Sequence, residues 1–351
     1  MIPGHLPAPP GALNLALLAG HIAGVVTAAW LAAHAEAWWL VALAAAWFAL
    51  SNHAVFILMH EAVHGIFHRR RWINELAGTV AAPWFPHAFS LQRAFHLSHH
   101  RNNRTDAEFF DGMAPHDHRL MKYWQWYGIL VGEYWLRVPV CCLLWLLAPW
   151  VLRRAMLRDP GLQRIRSFGG HDMLWSIERV PVLRSRLECL LMVVVQFGLF
   201  VILDLTWWSW LLCYAAFAVH WGSLQYASHA WSERSVRDGA WDLRTWAPLR
   251  LWLLNYPLHL AHHRQPLAPW IALPGLVDQT RQRPGWLRQW LSMWRGPRPT
   301  WGASPAPERT GSEWLAPVSG DTPVSGDTPV SDDTPVSGDT PVSGDATPSG
   351  R

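Results

Sequence analysis

The chain has 351 residues, 51% hydrophobic and 15% charged, with 26 Trp and a formal net charge of +4. Soluble domains carry about 25% charged residues, so an ordinary water-soluble globule is excluded, and no basic stripe accompanies a recognition motif, which argues against nucleic acid. All but one of the 29 basic residues are Arg, the exception being Lys122; this balance suits a membrane surface or an acidic protein partner, and the Arg, Ala, Gly and Pro richness points to a bacterial origin.

After an N-terminal tail (1–10), residues 11–33 and 37–59 each run without a formal charge. Both exceed the ~20 residues needed to cross a hydrocarbon core of ~30 Å, and a helical hairpin turning near Glu36 is expected. No Lys or Arg precedes the first run, which argues against a secretory signal. Residues 138–152 (VPVCCLLWLLAPWVL) are short, contain Pro149 and follow Glu133 and Arg137, so an interfacial or re-entrant helix is expected there. Residues 184–204 and 206–228 predict a second hairpin, with Asp204 and Thr206 marking its turn.

The predicted fold is therefore all-α and membrane-integral: four transmembrane helices as two hairpins within a domain spanning 11–300. A helical cap comprises 60–183 and 229–300. Arg69, Arg70, Arg71, Arg101, Arg153, Arg154 and Arg164 all fall on the cap side, whereas the hairpin turns carry no Lys or Arg. By the positive-inside rule the cap and both termini are expected to be cytoplasmic, in a bacterial cytoplasmic membrane. Trp286, Trp290 and Trp294 recur at i, i+4, i+8 and predict an amphipathic helix over 285–296, lying either in the interface or on the cap. From Pro317 a PVSGDT unit repeats with small variations, and 301–351 is expected to be a disordered tail. Cys141, Cys142, Cys189 and Cys213 lie in apolar stretches without a C-x-x-C spacing; they read as small hydrophobes.

Chemistry is concentrated in three histidine blocks: HEAVH (60–64), HLSHH (96–100) and HLAHH (259–263). On a helix, residues i and i+4 share a face with Cβ atoms about 5–6 Å apart, so His60 and His64 address one centre. Positions 0, 3 and 4 of the longer blocks fall within an arc of ~100°. His96, His99 and His100 therefore leave one face, as do His259, His262 and His263, and each adjacent pair splays enough to serve two ions. With 19 His in the chain, chance supplies on the order of 0.05 H-x-x-H-H matches, and two occur. Eight imidazoles exceed the ~4 ligands of a zinc site. Imidazole suits several transition metals; two ions, and iron for redox chemistry on an apolar substrate, fit best.

These blocks resemble those of the membrane fatty acid desaturase family, which also includes hydroxylases and carotenoid oxygenases. The resemblance covers roughly 40–280 and rests on HEAVH, on HLSHH followed by RNNRTDAEFFD, and on NYPLHLAHHRQPLAPWIALP, with Asn255 ahead of the box and Pro269, Trp270, Leu273 and Pro274 behind it. It implies a non-haem diiron centre held almost entirely by His, two Fe ions with dioxygen as co-substrate. It further implies His229, in QYASH, as a ninth ligand, and Gln225 as holder of a metal-bound water, where some members carry Asn. The implied reaction is oxygen-dependent desaturation of a fatty acyl lipid with two electrons from a separate donor: a ferredoxin, rubredoxin or small cytochrome with its reductase. Hydroxylation or ketolation of a fatty acid, alkane or carotenoid is the alternative on the same scaffold. The metal ligands are expected to be the whole catalytic apparatus.

Asp106, Glu108 and Asp111 follow the second box and are candidates to orient a ligand His, because metal-bound imidazole usually donates its other N–H to a carboxylate or carbonyl. Glu61 and Asn255 are further candidates for such support. His53 and His220 fall inside the crossings, where a polar residue is a functional suspect, and are expected to line a substrate tunnel. His68 is expected to be solvated or supporting, and His21, His34, His87, His116, His118 and His171 to lie at surfaces or interfaces. Arg69–Arg71 suit anionic headgroups or an acidic electron carrier. The main rival reads HEAVH as the H-E-x-x-H of a membrane zinc metalloprotease with Glu61 as general base; it leaves both H-x-x-H-H blocks unexplained. A histidine-rich metal transporter would want its ligands within the crossings.

Overall fold

The computed structural model describes residues 6–106, 108–115, 117–153, 176–177, 180–299 and 303–308, all within one compact unit, Met1–Pro317. His116, His171, cap residues 154–175 and tail residues 309–351 lie outside the described residues.

In chain order the helices are α1 (Gly11–His34), α2 (Trp38–Val63), α3 (Arg71–Ala81), α4 (Phe89–Asn102), α5 (Arg119–Leu130), α6 (Glu133–Leu147), α7 (Pro149–Arg153), α8 (Val182–Ile202), α9 (Trp207–Ala227), α10 (Ala247–Trp252), α11 (His259–Arg264) and α12 (Trp286–Met293). Among the described residues there are also two 3-10 turns, Ala82–Trp84 and Leu273–Leu276, and one minimal parallel strand pair, Gly112–Met113 with Arg298–Pro299.

α1, α2 and α8 are long and apolar enough to cross a membrane and coincide with three of the four expected crossings. α9 occupies the fourth position and carries no formal charge, but its four Trp with Ser209, His220, Ser223 and Gln225 dilute its hydropathy. Its N-terminus is fixed as expected: Asp204 is left-handed (φ 48°), and Thr206 accepts a hydrogen bond from the Ser209 N–H at 3.3 Å, the usual N-cap arrangement. The expected short helix 138–152 falls across α6 and α7. α5 and the Trp135–Leu147 stretch of α6 meet at 95°, the geometry of a broken span or a re-entrant loop. Gly132 makes the bend, at φ +81°, where a Cβ would collide with the Ala218 backbone of α9.

α2 is the central element, packed on α1, α9 and α3. Its outer half exposes Trp38, Trp39, Leu43 and Trp47. From Ser51 to Val63 every residue is buried, so one helix passes from a lipid-type surface into an enclosed interior. α8 presents Leu183, Leu187, Leu190, Val194, Phe197 and Val201 outward, an apolar stripe suited to acyl chains.

α12 packs against α9: the Trp286 indole donates to the Ser223 carbonyl at 3.2 Å and Gln289 to the Ala230 carbonyl at 2.8 Å. The helix expected over 285–296 is present, and its other side leaves Leu287, Leu291 and Trp294 exposed. The ordered body also runs past the expected boundary at 300, since the Glu308 N–H donates to the Arg101 carbonyl at 3.0 Å and its carboxylate pairs with Arg237 at 2.8 Å.

Candidate metal centre

Four segments deliver nine histidines to one place: the C-terminal turn of α2, the last turns of α4, the turn following α9, and α11. They form two groups. His60, His64, His96, His100 and His262 make one, and His99, His229, His259 and His263 the other; within each group the ligand atoms lie within 4.8 Å of one another. The division follows helix geometry. Each i, i+4 pair (60/64, 96/100, 259/263) stays together on its face, while the i+3 residues, His99 and His262, cross to the other group. All eight block histidines and His229 are thus brought together, and His68 is in neither group.

In the first group Nε2 atoms converge. His64 and His96 are 2.8 Å apart, His96 and His100 2.9 Å, and His100 and His262 3.0 Å. Neighbouring ligands at right angles around an ion with bonds of about 2.1 Å are separated by about 3 Å, so these spacings fit a shared cation. Both ring nitrogens of His60 and His259, and Nε2 of His99, His229 and His263, are buried without a hydrogen-bond partner among the described residues. Buried polar atoms ordinarily find partners; a cation in each group would take up one nitrogen lone pair from each of these rings. Burial first, and repulsion between neighbouring imidazoles second, hold His96, His100, His229, His259, His262 and His263 well below the usual histidine range. They are neutral at physiological pH, the form that binds a metal. Neither group includes a carboxylate or a thiolate, and five neutral nitrogens exceed a tetrahedral zinc shell.

The supporting residues are mostly remote in sequence. Arg93 caps the α2 C-terminus, donating to the carbonyls of Val63 (3.2 Å) and Ala62 (3.0 Å), where helix carbonyls lack internal partners. Asn74 adds a bond to the Ala62 carbonyl at 2.9 Å, and Glu75 holds the Arg93 guanidinium at 2.6 Å. Burial alone pushes the Glu75 carboxyl up, but hydrogen bonds and charge from Arg93 and Arg184 bring it down to about 2. At α11, Asp242 accepts the Ala261 N–H at 3.0 Å. Just upstream, Leu254 (φ 45°) and Asn255 (φ 57°) are consecutive left-handed residues; such conformations cost about 1–3 kcal/mol each and persist where the surroundings enforce them.

Of the three acidic residues after the second box, Glu108 alone meets a ligand candidate, His99 Nδ1 at 2.5 Å. Asp106 is corrected: it is exposed and pairs with Arg234. Asp111 is corrected too; it is buried against Arg104 at 2.7 Å and the Trp231 N–H. The other orienting groups are carbonyls and amides: His229 Nδ1 faces the Gly239 carbonyl at 2.9 Å, and Asn103 approaches His263 Nδ1 at 3.5 Å.

Glu61 accepts the Trp270 N–H at 3.1 Å, and Asn255 donates to the Trp270 carbonyl at 3.1 Å. Both therefore clamp the chain after the third box rather than orient a ring, and Glu61 is not placed as a general base. Gln225 accepts the Tyr256 hydroxyl at 2.5 Å, so its carbonyl oxygen has a protein partner. His53 and His220 are neighbours inside the bundle, ring centroids 4.9 Å apart. His87, expected at a surface or interface, is buried, its Nδ1 bonded to the Ala88 carbonyl. Sequence reasoning missed Arg93, Asp242 and Tyr256; the signal for Tyr256 was its place inside the NYPLH run.

Residues 36–296 match a family model described as fatty acid desaturase. No curated protein matches the chain.

Proposed function

From the premise that the chain belongs to the fatty acid desaturase family, we propose that it is a membrane diiron oxidoreductase that introduces a carbon–carbon double bond into a fatty acyl lipid. The oxidant is dioxygen, and two electrons come from a separate ferredoxin, rubredoxin or small cytochrome with its reductase. The observation that carries this reading is the pair of adjacent buried histidine groups, five and four imidazoles. When bound there, two irons supply activation of dioxygen and removal of hydrogen from an unactivated C–H bond.

The chain's own part is positional. The nine histidines would hold the ions as neutral donors, with Glu108 accepting a hydrogen bond from Nδ1–H of His99 and the Gly239 carbonyl accepting one from Nδ1–H of His229. Gln225, bonded through its carbonyl oxygen to Tyr256, would hold a metal-bound water through its amide. The buried half of α2, with α9 and Tyr256, would form the dry walls that fix which carbon reaches the ions. Four crossings, α1, α2, α8 and α9, would set the centre at the cytoplasmic boundary of a bacterial inner membrane. The hairpin turns, which carry no Lys or Arg, and the Arg-rich cap support that orientation, and Arg69–Arg71 stand exposed to meet headgroups or a carrier.

Metal analysis of the purified chain tests the centre: about two irons per chain are expected, and a single zinc would sink the reading. Mass analysis of lipid extracts from expressing cells tests the reaction. Loss of two hydrogens marks desaturation; gain of one oxygen marks the hydroxylase alternative.

A further inference from the structure

His53 stands seven residues before His60 on α2, about 10 Å of helix rise toward the bundle interior, and is fully buried. Neither of its ring nitrogens has a hydrogen-bond partner among the described residues, nor does Nε2 of the half-buried His220. The two rings meet edge-on at 4.9 Å and make no hydrogen bond with each other. Phe56, Phe217 and Tyr256 surround His53 at 6.0, 6.4 and 5.7 Å between centroids. Tyr256 also touches the metal centre, 5.6 Å from His60 and 5.1 Å from His259. A polar edge thus leads from the histidine groups through Tyr256 and Gln225 to His53 and His220, inside walls that are otherwise apolar.

A plain hydrocarbon chain offers these nitrogens nothing. Burying an imidazole without a partner is costly, and Leu or Phe would pack in its place without that penalty. A neutral imidazole presents one donor and one acceptor. A hydroxyl group satisfies both kinds and a carbonyl oxygen satisfies the donor, while the phenyl walls disfavour a charged carboxylate or amine.

We propose that His53 and His220 form a subsite for a neutral oxygen, hydroxyl or carbonyl, carried by the lipid substrate, so that the molecule oxidised is an already oxygenated chain. This rests on the reading of the histidine centre as a lipid-oxidising site and names its substrate class.

The test compares binding of ω-hydroxypalmitate, its ω-aldehyde and palmitate to the iron-loaded full-length protein in nanodiscs. It is run without reductant, and tryptophan fluorescence reports binding; the Trp286 ring lies 5.7 Å from that of His220. The oxygenated probes are expected to bind about tenfold tighter than palmitate, equivalent to about 1.4 kcal/mol. His53→Phe and His220→Phe should each erase that preference while leaving iron content unchanged. Equal binding of all three probes to the native protein, as when ordered water satisfies the imidazoles, overturns the subsite; so does a preference that survives both substitutions. Should His53→Phe fail to fold, the half-buried His220→Phe decides. A protein that holds no iron defeats the reading of the centre. Intact iron and oxygen consumption without a probe preference defeats the subsite alone.

Discussion

Replacing Glu108 by Ala removes the carboxylate that meets His99 Nδ1 at 2.5 Å, in a pair whose side chains are 9% and 14% exposed. Loss of such a partner frees the imidazole to change tautomer and to rotate, and typically lowers metal affinity by about 10–100-fold, or about 1.4–2.8 kcal/mol. The effect should be confined to one ion, because His99 belongs with His229, His259 and His263 and no hydrogen bond ties Glu108 to the five-histidine group among the described residues. Iron-loaded protein titrated with a competing chelator should lose its metal in two steps. The first iron should leave at about 10–100-fold lower chelator concentration than in the native protein, and the second at the native concentration. Glu108→Gln, which keeps an acceptor oxygen without the charge, should fall between. Native retention of both irons in Glu108→Ala, or their simultaneous release, would refute the assignment of His99 to the second group and of Glu108 to His99.

His262→Ala should abolish turnover and lower iron content, since it removes the imidazole facing His100 in the five-histidine group; full activity with normal iron would refute the site. Asp242→Ala should lower thermal stability by about 1 kcal/mol, the usual cost of losing a bond to an N-terminal helix N–H, together with iron retention by the α11 histidines; unchanged melting and iron content would show that α11 holds itself. Glu75, held near 2 against an ordinary 4.5, contributes stability that is complete above about pH 4.5 and is lost as pH falls from there toward 2. Glu75→Gln should therefore melt lower than the native protein at pH 7, by about 1–2 kcal/mol after allowing for its partial exposure, with the gap closing on acidification; a gap independent of pH contradicts the ion-pair origin. Deleting residues 316–351 should leave turnover intact, and a dead truncation would overturn the reading of the repeats as dispensable.

Much of the fold was legible because membrane burial writes itself plainly into sequence. Charge-free runs located α1 and α2, the apolar stretch following Glu188 located α8, and Asp204 with Thr206 located the turn into α9. The fourth crossing is less clear for a physical reason: α9 carries the polar His220, Ser223 and Gln225 in its last two turns, at the expense of its hydropathy. The block histidines were legible from spacing alone. Their division into five and four was not, because it depends on which neighbouring helix each i+3 ring meets. Nor could the sequence choose among Asp106, Glu108 and Asp111: the choice is made by the loop, where Arg104 turns left-handed (φ 62°) and draws Asp111 to itself. Arg93 and Asp242 act on carbonyls and N–H groups of helices 30 and 19 residues away, a relation with no local pattern.

α4 and α11 each hand side chains to both histidine groups. Part of the gap between the groups is therefore set within single helices, in addition to what the assembly of the bundle decides. It is built into the pitch of single helical turns, among the stiffest rulers a polypeptide has. A thicker bilayer or a tilting hairpin can shift the two histidine groups together, yet neither can separate the rings of one helical turn without unwinding it.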